Sequence, residues 1–239
     1  MRIHRFYIKN IDISSENTVV TQETELIHQL KNVFRYKSGQ KIYFFNEKIG
    51  EIEVEISEIG KKDMSFKYIR QIRNMIDDKE LGKSVSLYIS TIKNSNFELI
   101  IEKAVELGVI EIIPITTERS MKNSPNTQRI NKIIKEATEQ SGRIDLMKIG
   151  DIVDLKNAIK NAKDVSDIVY FGSLEEKDIE TKANRNNLMK IAVFIGPEGG
   201  FSDEELSLFK SENVNPLRLG KYILRAETAS IVACGILSL

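Results

Sequence analysis

Tryptophan is missing from this 239-residue sequence, cysteine occurs once and histidine twice. The single cysteine, Cys234, excludes an internal disulfide, and with only His4 and His28 beside it a zinc site has too few ligands. Chemistry resting on a metal cluster is thereby set aside. No apolar run approaches the roughly 18 residues that a membrane-spanning helix needs. The polar start MRIHRFYIKN also lacks the apolar core of a signal peptide, so the expected location is the cytoplasm. Excess charge of one sign is absent too. The 35 basic and 35 acidic residues cancel, so any nucleic-acid partner must be met by local patches. What remains, 41% hydrophobic and 29% charged residues, is the composition expected of a soluble globular protein with room for one large domain or two smaller ones.

Residues 2–8, 41–45, 50–59 and 65–72 alternate apolar and polar side chains with period two, which predicts antiparallel strands. In residues 51–56, Ile52, Val54 and Ile56 alternate with Glu51, Glu53 and Glu55, the pattern of a half-exposed strand. With turn-like residues at 37–39 and 46–50 between the strands and one helical stretch over 23–33, a small β-barrel or sandwich is expected. The polar segment 74–83 is the candidate linker. After it the period changes. Strands are expected at 84–90, 109–115, 167–171, 191–195 and 214–219, alternating with helices at 96–107, 127–140, 154–161, 202–211 and 228–237; such alternation predicts a mainly parallel α/β sheet. There is no internal repeat or low-complexity tract, and residues 182–190 are polar enough for a surface loop.

Within this series the run IAVFI (191–195) stops at Gly196-Pro197-Glu198-Gly199-Gly200, and Ser202 with Glu205 forms a capping-box pattern immediately afterwards. An unbroken apolar run suits a strand buried on both faces, and a glycine loop at such a strand's carboxyl end is where open α/β sheets bind ligands. The loop is neither GxGxxG nor a GxxxxGK[ST] phosphate cradle. By itself it fits a simple strand-to-helix turn equally well.

A second segment changes that balance. GPEGGFSDEEL followed by LGKYILRAETA (219–229) resembles the C-terminal motif pair of the bacterial ribosomal RNA small subunit methyltransferase E family, itself similar to the wider SPOUT class of S-adenosylmethionine-dependent methyltransferases. KNSNFELIIEKAVELGV (93–109), the triplet Glu118-Arg119-Ser120, EATEQSGR (136–143) and HQLKNVFRYKSGQKI (28–42) agree with it in order, so the resemblance spans nearly the whole chain. It implies an α/β fold of SPOUT type, with a mainly parallel sheet and a C-terminal deep trefoil knot, preceded by a small PUA-like β-barrel. The implied division is 1–73 for the RNA-binding barrel, 74–83 for the linker and 84–239 for the methyltransferase domain. The implied reaction is methyl transfer from S-adenosylmethionine to N3 of one uridine of 16S rRNA in the assembled small ribosomal subunit, carried out by a homodimer. Another structured RNA is the alternative substrate.

The resemblance places the cofactor pocket at Ile195, Gly196, Pro197, Glu198, Gly199 and Gly200 in the first loop and at Leu219, Gly220, Ile223, Leu224 and Thr228 in the second. Phe171 and Gly172 join them from a neighbouring strand end. Methyl transfer to a protonated nitrogen asks for positioning, and for a group that accepts the proton or offsets the negative charge. Arg225, Glu198 and Glu227 are the catalytic candidates, with Arg225 suited to bind a phosphate or the charge developing on the base. Lys31, Arg35, Lys37 and Lys41, interleaved with Phe34 and Tyr36 and free of acids, form a candidate RNA patch, and Arg119 and Arg143 are further motif positions that could meet RNA. His28 and Cys234 are expected to be structural. The sequence departs from the family pattern where tryptophan is usual near the second helix, where Lys221-Tyr222 replaces Pro-Arg, and at the hairpin Asn46-Glu47-Lys48. An inactive RNA-binding protein could dispense with GPEGG and LRAET, which are intact, and an oxidoreductase would carry its glycine fingerprint early in the chain.

Overall fold

Alternation in the first part of the chain becomes five strands: β1 (Arg5–Tyr7), β2 (Thr18–Thr21), β3 (Lys41–Asn46), β4 (Gly50–Ile59) and β5 (Met64–Arg73). They form one sheet in the order β1-β3-β4-β5-β2, antiparallel except for the β1 and β3 pair. In the computed structural model the described residues are 4–11, 13, 17–60, 62–74, 83–122, 125–173 and 189–238. They divide into two units, Met1–Glu80 with Thr138–Leu146, and Leu81–Ala137 with Met147–Leu239. The expected strand start at residues 2–3, most of the 74–83 linker and most of the 182–190 loop lie outside the described residues.

The apolar half of β4 behaves as the alternation predicts. Ile52, Val54 and Ile56 are fully buried with Phe6, Leu26, Phe44 and Phe66 in the core of the first unit. The glutamate half does not. Glu51 and Glu53 are each only 3% exposed, which corrects the reading of a half-exposed strand. The reason is a second layer of charge: Arg5 and Arg73 both pair with Glu51, while Arg70 at 2.6 Å and Lys41 at 3.3 Å hold Glu53. The same two arginines reach segment 138–146, where Arg5 donates to the carbonyls of Thr138, Glu139 and Arg143 and Arg73 to that of Gly142. Buried carboxylates are tolerated only when paired in this way.

Two further differences have local causes. The expected helix over 23–33 is α1 (Thr24–His28) continued by a π-helical turn (Gln29–Val33), closed by the Phe34 amide on the Gln29 carbonyl at 3.0 Å. Leu26, Ile27 and Leu30 still reach the core, so the apolar spacing does not reveal the wider turn. Strand β2 has only four residues, too short to show a period.

The second unit contains β6 (Lys83–Ser90), β7 (Glu111–Thr116), β8 (Lys148–Ile149), β9 (Val153–Asp154), β10 (Ile168–Ser173), β11 (Met189–Ile195) and β12 (Asn215–Arg218). Their order is β12-β10-β11-β6-β7-β8, with β9 also on β7, and every pairing is parallel. The helices are α2 (Asn94–Glu106), α3 (Thr127–Ser141), α4 (Leu155–Val165), α5 (Asp203–Ser211) and α6 (Ala226–Ser238). Helix α2 stops at Gly108, whose φ of +79° suits glycine, and Asp154 caps α4 by accepting the Asn157 amide at 3.0 Å. Ala192, Phe194, Val169, Phe171 and Tyr88 pack toward Phe209 of α5 and Ala158 and Ile159 of α4. Alternation then turns Ile191, Val193 and Ile195 to the other face, and α6 packs on β6, β11 and α2. Strand β11 is therefore covered on both sides, as its unbroken apolar run predicts. Among the described residues no helix is long and apolar enough to cross a membrane.

Candidate functional site

Because all the strands of the second sheet run parallel, β6, β7, β10, β11 and β12 end on one edge, where open α/β sheets form ligand crevices. At that edge a Cβ added to Gly172 would lie 3.2 Å from Ile195 Cδ1 and 3.6 Å from Leu219 Cδ1. Three of the expected cofactor positions, on three separate segments, therefore converge. Phe171, one residue earlier, is 1% exposed and stacks on Phe209 at 4.6 Å, so its side chain belongs to the core.

The glycine loop leaves β11 and is shaped by contacts on both of its flanks. A Cβ on Gly196 would come within 3.3 Å of the Phe201 ring, and Gly200, at φ +71°, closes a turn by donating to the Pro197 carbonyl at 2.8 Å. Phe201 is buried against Phe209 at 4.9 Å, and Phe209 also meets Phe194 at 5.5 Å. Edge-on and stacked aromatic pairs of this kind anchor the loop's far end in the core. Ser202 then caps α5 in a full capping box with Glu205. Pro197 is buried, whereas Glu198, Gly199 and Gly200 are exposed.

The second loop, after β12, brings Leu224 over Gly220, with 3.8 Å from Leu224 Cδ1 to a Cβ placed there. Arg218 Nε donates to the Gly220 carbonyl at 3.3 Å. Ile223 and Tyr222 are not drawn in: they are 83% and 73% exposed, and Lys221 Nζ stands 5.6 Å over the Tyr222 ring. The carbonyl of exposed Arg225 accepts the Ala229 amide at 2.8 Å, so α6 starts two residues earlier than expected and its first turn contains Glu227 and Thr228. Glu227 is engaged by Asn96 of α2 at 3.4 Å, and Thr228 is exposed. Cys234 is buried on α6, and burial pushes its thiol up to about 12, which leaves it protonated and inert.

A third segment, the turn after β7, reaches the glycine loop across β6. The Arg119 guanidinium donates to the Gly199 carbonyl at 2.9 Å, and the Glu118 amide donates to Glu205 Oε1 at 2.8 Å. Arg119 thus stands beside the glycine loop. On its other side the turn borders a cavity of about 270 Å³ lined by Thr91, Thr117, Ser120, Met121, Lys122 and Ile152 among others. The hydroxyl hydrogens of Thr91, Thr117 and Ser120 are spent on the Met121 carbonyl, Ser90 Oγ and the Thr117 carbonyl.

The candidate RNA residues divide by their partners. In the first unit Arg35, at φ +54°, and Lys37 are exposed, whereas Lys31 Nζ donates to the Gly60 carbonyl at 2.7 Å and Lys41 faces Glu53. Phe34 and Tyr36 lean on Phe6 and His4, with Tyr36 hydroxyl and His4 Nδ1 2.7 Å apart, and burial raises the Tyr36 phenol above its usual range. Arg143 is bound to Asp145 at 2.8 Å and its side chain is 11% exposed. Burial opposes ionisation of Asp145, but the Arg143 hydrogen bond and charge together hold that carboxyl below the usual range. His28 is exposed at the end of α1.

Among the described residues no group of three or more histidine, cysteine or acidic side chains could hold a metal ion. The residues that sequence reasoning missed as parts of this site are Phe201 and Glu205. Both lie in the motif GPEGGFSDEEL, but their pairing with the core and with Glu118 joins segments 87 residues apart.

Comparison with known proteins is consistent along the chain. Residues 79–238 match the family model of the RNA methyltransferase domain. A ribosomal RNA small subunit methyltransferase E from Rickettsia conorii is 32% identical over 235 residues, covering 98% of this chain and 94% of that protein. A ribosomal RNA small subunit methyltransferase E 2 from Borreliella burgdorferi is 33% identical over 225 residues, covering 90% and 88%. A Legionella pneumophila chain solved in complex with the bound cofactor SAM superposes with a TM-score of 0.80 at 26% identity, covering 99% of this chain and 97% of that one.

Proposed function

The chain belongs to the ribosomal RNA small subunit methyltransferase E family, and from that premise we propose that it methylates N3 of one uridine of 16S rRNA in the assembled small subunit, with S-adenosylmethionine as donor. The observation that carries the reading is the convergence of Gly172, Ile195 and Leu219 beside the glycine loop. A cradle that any side chain at Gly172 would begin to fill suits a flat nucleoside, and the exposed backbone of 198–200 admits close approach. Bound there, S-adenosylmethionine supplies an electrophilic methyl group. Gly196, Pro197, Gly199, Gly200, Leu219, Gly220 and Leu224 would hold it, with the exposed Thr228 and Ile223 as further contacts.

The chain's own chemical task is to place the base and manage a proton, since N3 of uracil carries one. Arg225, exposed at the start of α6, offsets the negative charge that develops as N3 loses it. Glu198 either balances the cofactor's positive charge or takes that proton, and Glu227, held by Asn96, keeps the start of α6 in place. Arg35 and Lys37 of the first unit, read as a PUA-like barrel, supply phosphate contacts that Lys31 and Lys41 support.

A C-terminal trefoil knot is part of the proposal. Its support is that β12 pairs with β10 at the sheet edge while the following helix α6 packs back on β6, β11 and α2. The exposed Tyr222 and Ile223 support a homodimer, since large apolar side chains standing in water beside a site suit a second copy. Cytoplasmic location follows from the ribosomal substrate. Methylation of small subunits that lack the modification, followed by mapping of the modified nucleotide, tests the reading; modification of another structured RNA alone would favour the alternative substrate. Arg225→Ala should abolish methylation while calorimetry finds S-adenosylmethionine affinity little changed, and wild-type turnover by that variant removes Arg225 from the chemistry.

A further inference from the structure

The loop 196–200 has an unusual support for so glycine-rich a segment. Three of its five residues are glycine, and Glu198, Gly199 and Gly200 are exposed, so packing alone does little to hold them. Fixing one residue's backbone costs on the order of 1–2 kcal/mol, and glycine lies at the costly end. A ligand that had to order this loop on binding would lose affinity accordingly. Yet one distant turn ties both the loop and the helix start behind it: Arg119 Nη1 donates to the Gly199 carbonyl at 2.9 Å, and the Glu118 amide donates to Glu205 Oε1 of α5 at 2.8 Å. The Arg119 stem also lies flat on Gly199, where an added Cβ would be 3.3 Å from Arg119 Cδ. Glu205 uses its other oxygen, Oε2, to accept the Ser202 amide at 2.8 Å, so one carboxylate serves both the helix cap and the tie to the β7 turn. The ties bracket Gly200, the residue whose φ of +71° turns the chain into α5.

We propose that Arg119 is a positioning residue that holds the glycine loop in its ligand-ready shape, with Glu205 as the second tie, and that its principal role is not contact with RNA. The inference rests on the reading of 196–200 as the S-adenosylmethionine loop. Among the described residues one guanidinium nitrogen is used, on a carbonyl, so a lysine able to reach Gly199 should replace much of the effect, which a bidentate phosphate contact would not allow.

The test is calorimetry with S-adenosylmethionine, together with steady-state methylation, on the full-length wild type, Arg119→Ala, Arg119→Lys, Gly199→Ala and the Arg119→Ala/Gly199→Ala double variant. Wild-type protein that fails to bind S-adenosylmethionine overturns the functional reading and this inference with it. With wild-type binding established, Arg119→Ala should raise Kd for S-adenosylmethionine about tenfold, equivalent to about 1.4 kcal/mol. Its KM for S-adenosylmethionine should rise in step while KM for RNA stays within twofold, and Arg119→Lys should recover most of the affinity. Gly199→Ala should weaken binding in the wild-type background but add little to Arg119→Ala, because both act through the same contact. An unchanged Kd in folded Arg119→Ala, a loss confined to KM for RNA, or additive effects in the double variant would each overturn it. Should Arg119→Ala fail to fold by its thermal melt, the same decision rests on the other two single variants: affinity near wild type in Arg119→Lys with a loss in Gly199→Ala supports the tie, and the reverse sinks it.

Discussion

Gly50 and Gly39 show how much a single residue's surroundings decide. Both have positive φ, +70° and +84°, so both favour glycine for the same backbone reason. A Cβ at Gly50 would lie 2.2 Å from the Arg73 carbonyl, whereas nothing stands within 4 Å of one at Gly39. Gly39→Ala should therefore cost about 1 kcal/mol of unfolding free energy, the strain of the left-handed conformation alone. Gly50→Ala should cost about 3 kcal/mol or more, because the ladder at Arg73 must also shift. Urea titration of the two variants compares them directly, and equal losses would mean that the steric term is relieved elsewhere. The hairpin Asn46-Glu47-Lys48, which departs from the family pattern, is held by Asn46 Oδ1, which accepts the amides of Lys48 and Ile49 at 2.8 and 3.0 Å, and is closed by Gly50, the partner of Asn46 in the ladder. Here the turn was legible as polar punctuation, but the steric demand added at Gly50 comes from a strand 23 residues away and could not be read locally.

At the scale of elements, β4 is the informative case. Its alternation correctly places Ile52, Val54 and Ile56 in the core, yet period two says only that the glutamates point the other way, and says nothing of what lies there. Arg5, Arg73 and segment 138–146 lie there. This gives the EATEQSGR motif a structural task, since the carbonyls of Thr138, Glu139, Gly142 and Arg143 satisfy the two arginines that neutralise Glu51. Glu51→Ala should destabilise the protein by about 2–3 kcal/mol, because removing the shared carboxylate leaves the largely covered Arg5 and the partly exposed Arg73 without their counter-charge. Glu55→Ala, at a partly exposed position of the same strand, should stay within about 0.5 kcal/mol. Matched chemical denaturation curves check the pair; similar midpoints for both would remove the network from the stability argument. Glu53 belongs to the same layer, and the hydrogen bond from Arg70 foremost keeps its carboxyl below the ordinary range despite burial. Its stabilising contribution is accordingly present at neutral pH and is lost as pH falls below 4.5 through the depressed value.

For the whole molecule the balance of charge sets the terms of RNA binding. With 35 charges of each sign there is no global attraction to a polyanion, so each local cation that meets a phosphate should be visible in the salt dependence. Exposed Arg35 and Lys37 are the strongest candidates in the first unit, while Lys31 is engaged with Gly60. A Lys31/Arg35/Lys37 triple alanine variant should reduce the slope of log affinity against log salt by about 2, with most of the change coming from Arg35 and Lys37. An unaltered slope in filter-binding or fluorescence titrations would take this patch out of the interface.

The sequence by itself determined the parallel sheet, the burial of IAVFI on both faces, and the motif pair that names the family. Those features are local: a strand's period, a capping box and a glycine loop are all set by residues within a few positions of one another. Only the tertiary structure decided that Glu51 and Glu53 are buried, that Arg143 is spent on Asp145, and that Arg119 holds Gly199. The burial of Glu51 and Glu53 and the Arg119 tie depend on pairing across the fold, over 80 residues in the case of Arg119, and partners at such separation leave no periodic trace in the chain; Arg143 and Asp145 stand two residues apart, but their meeting depends on the local backbone conformation, which the period does not give.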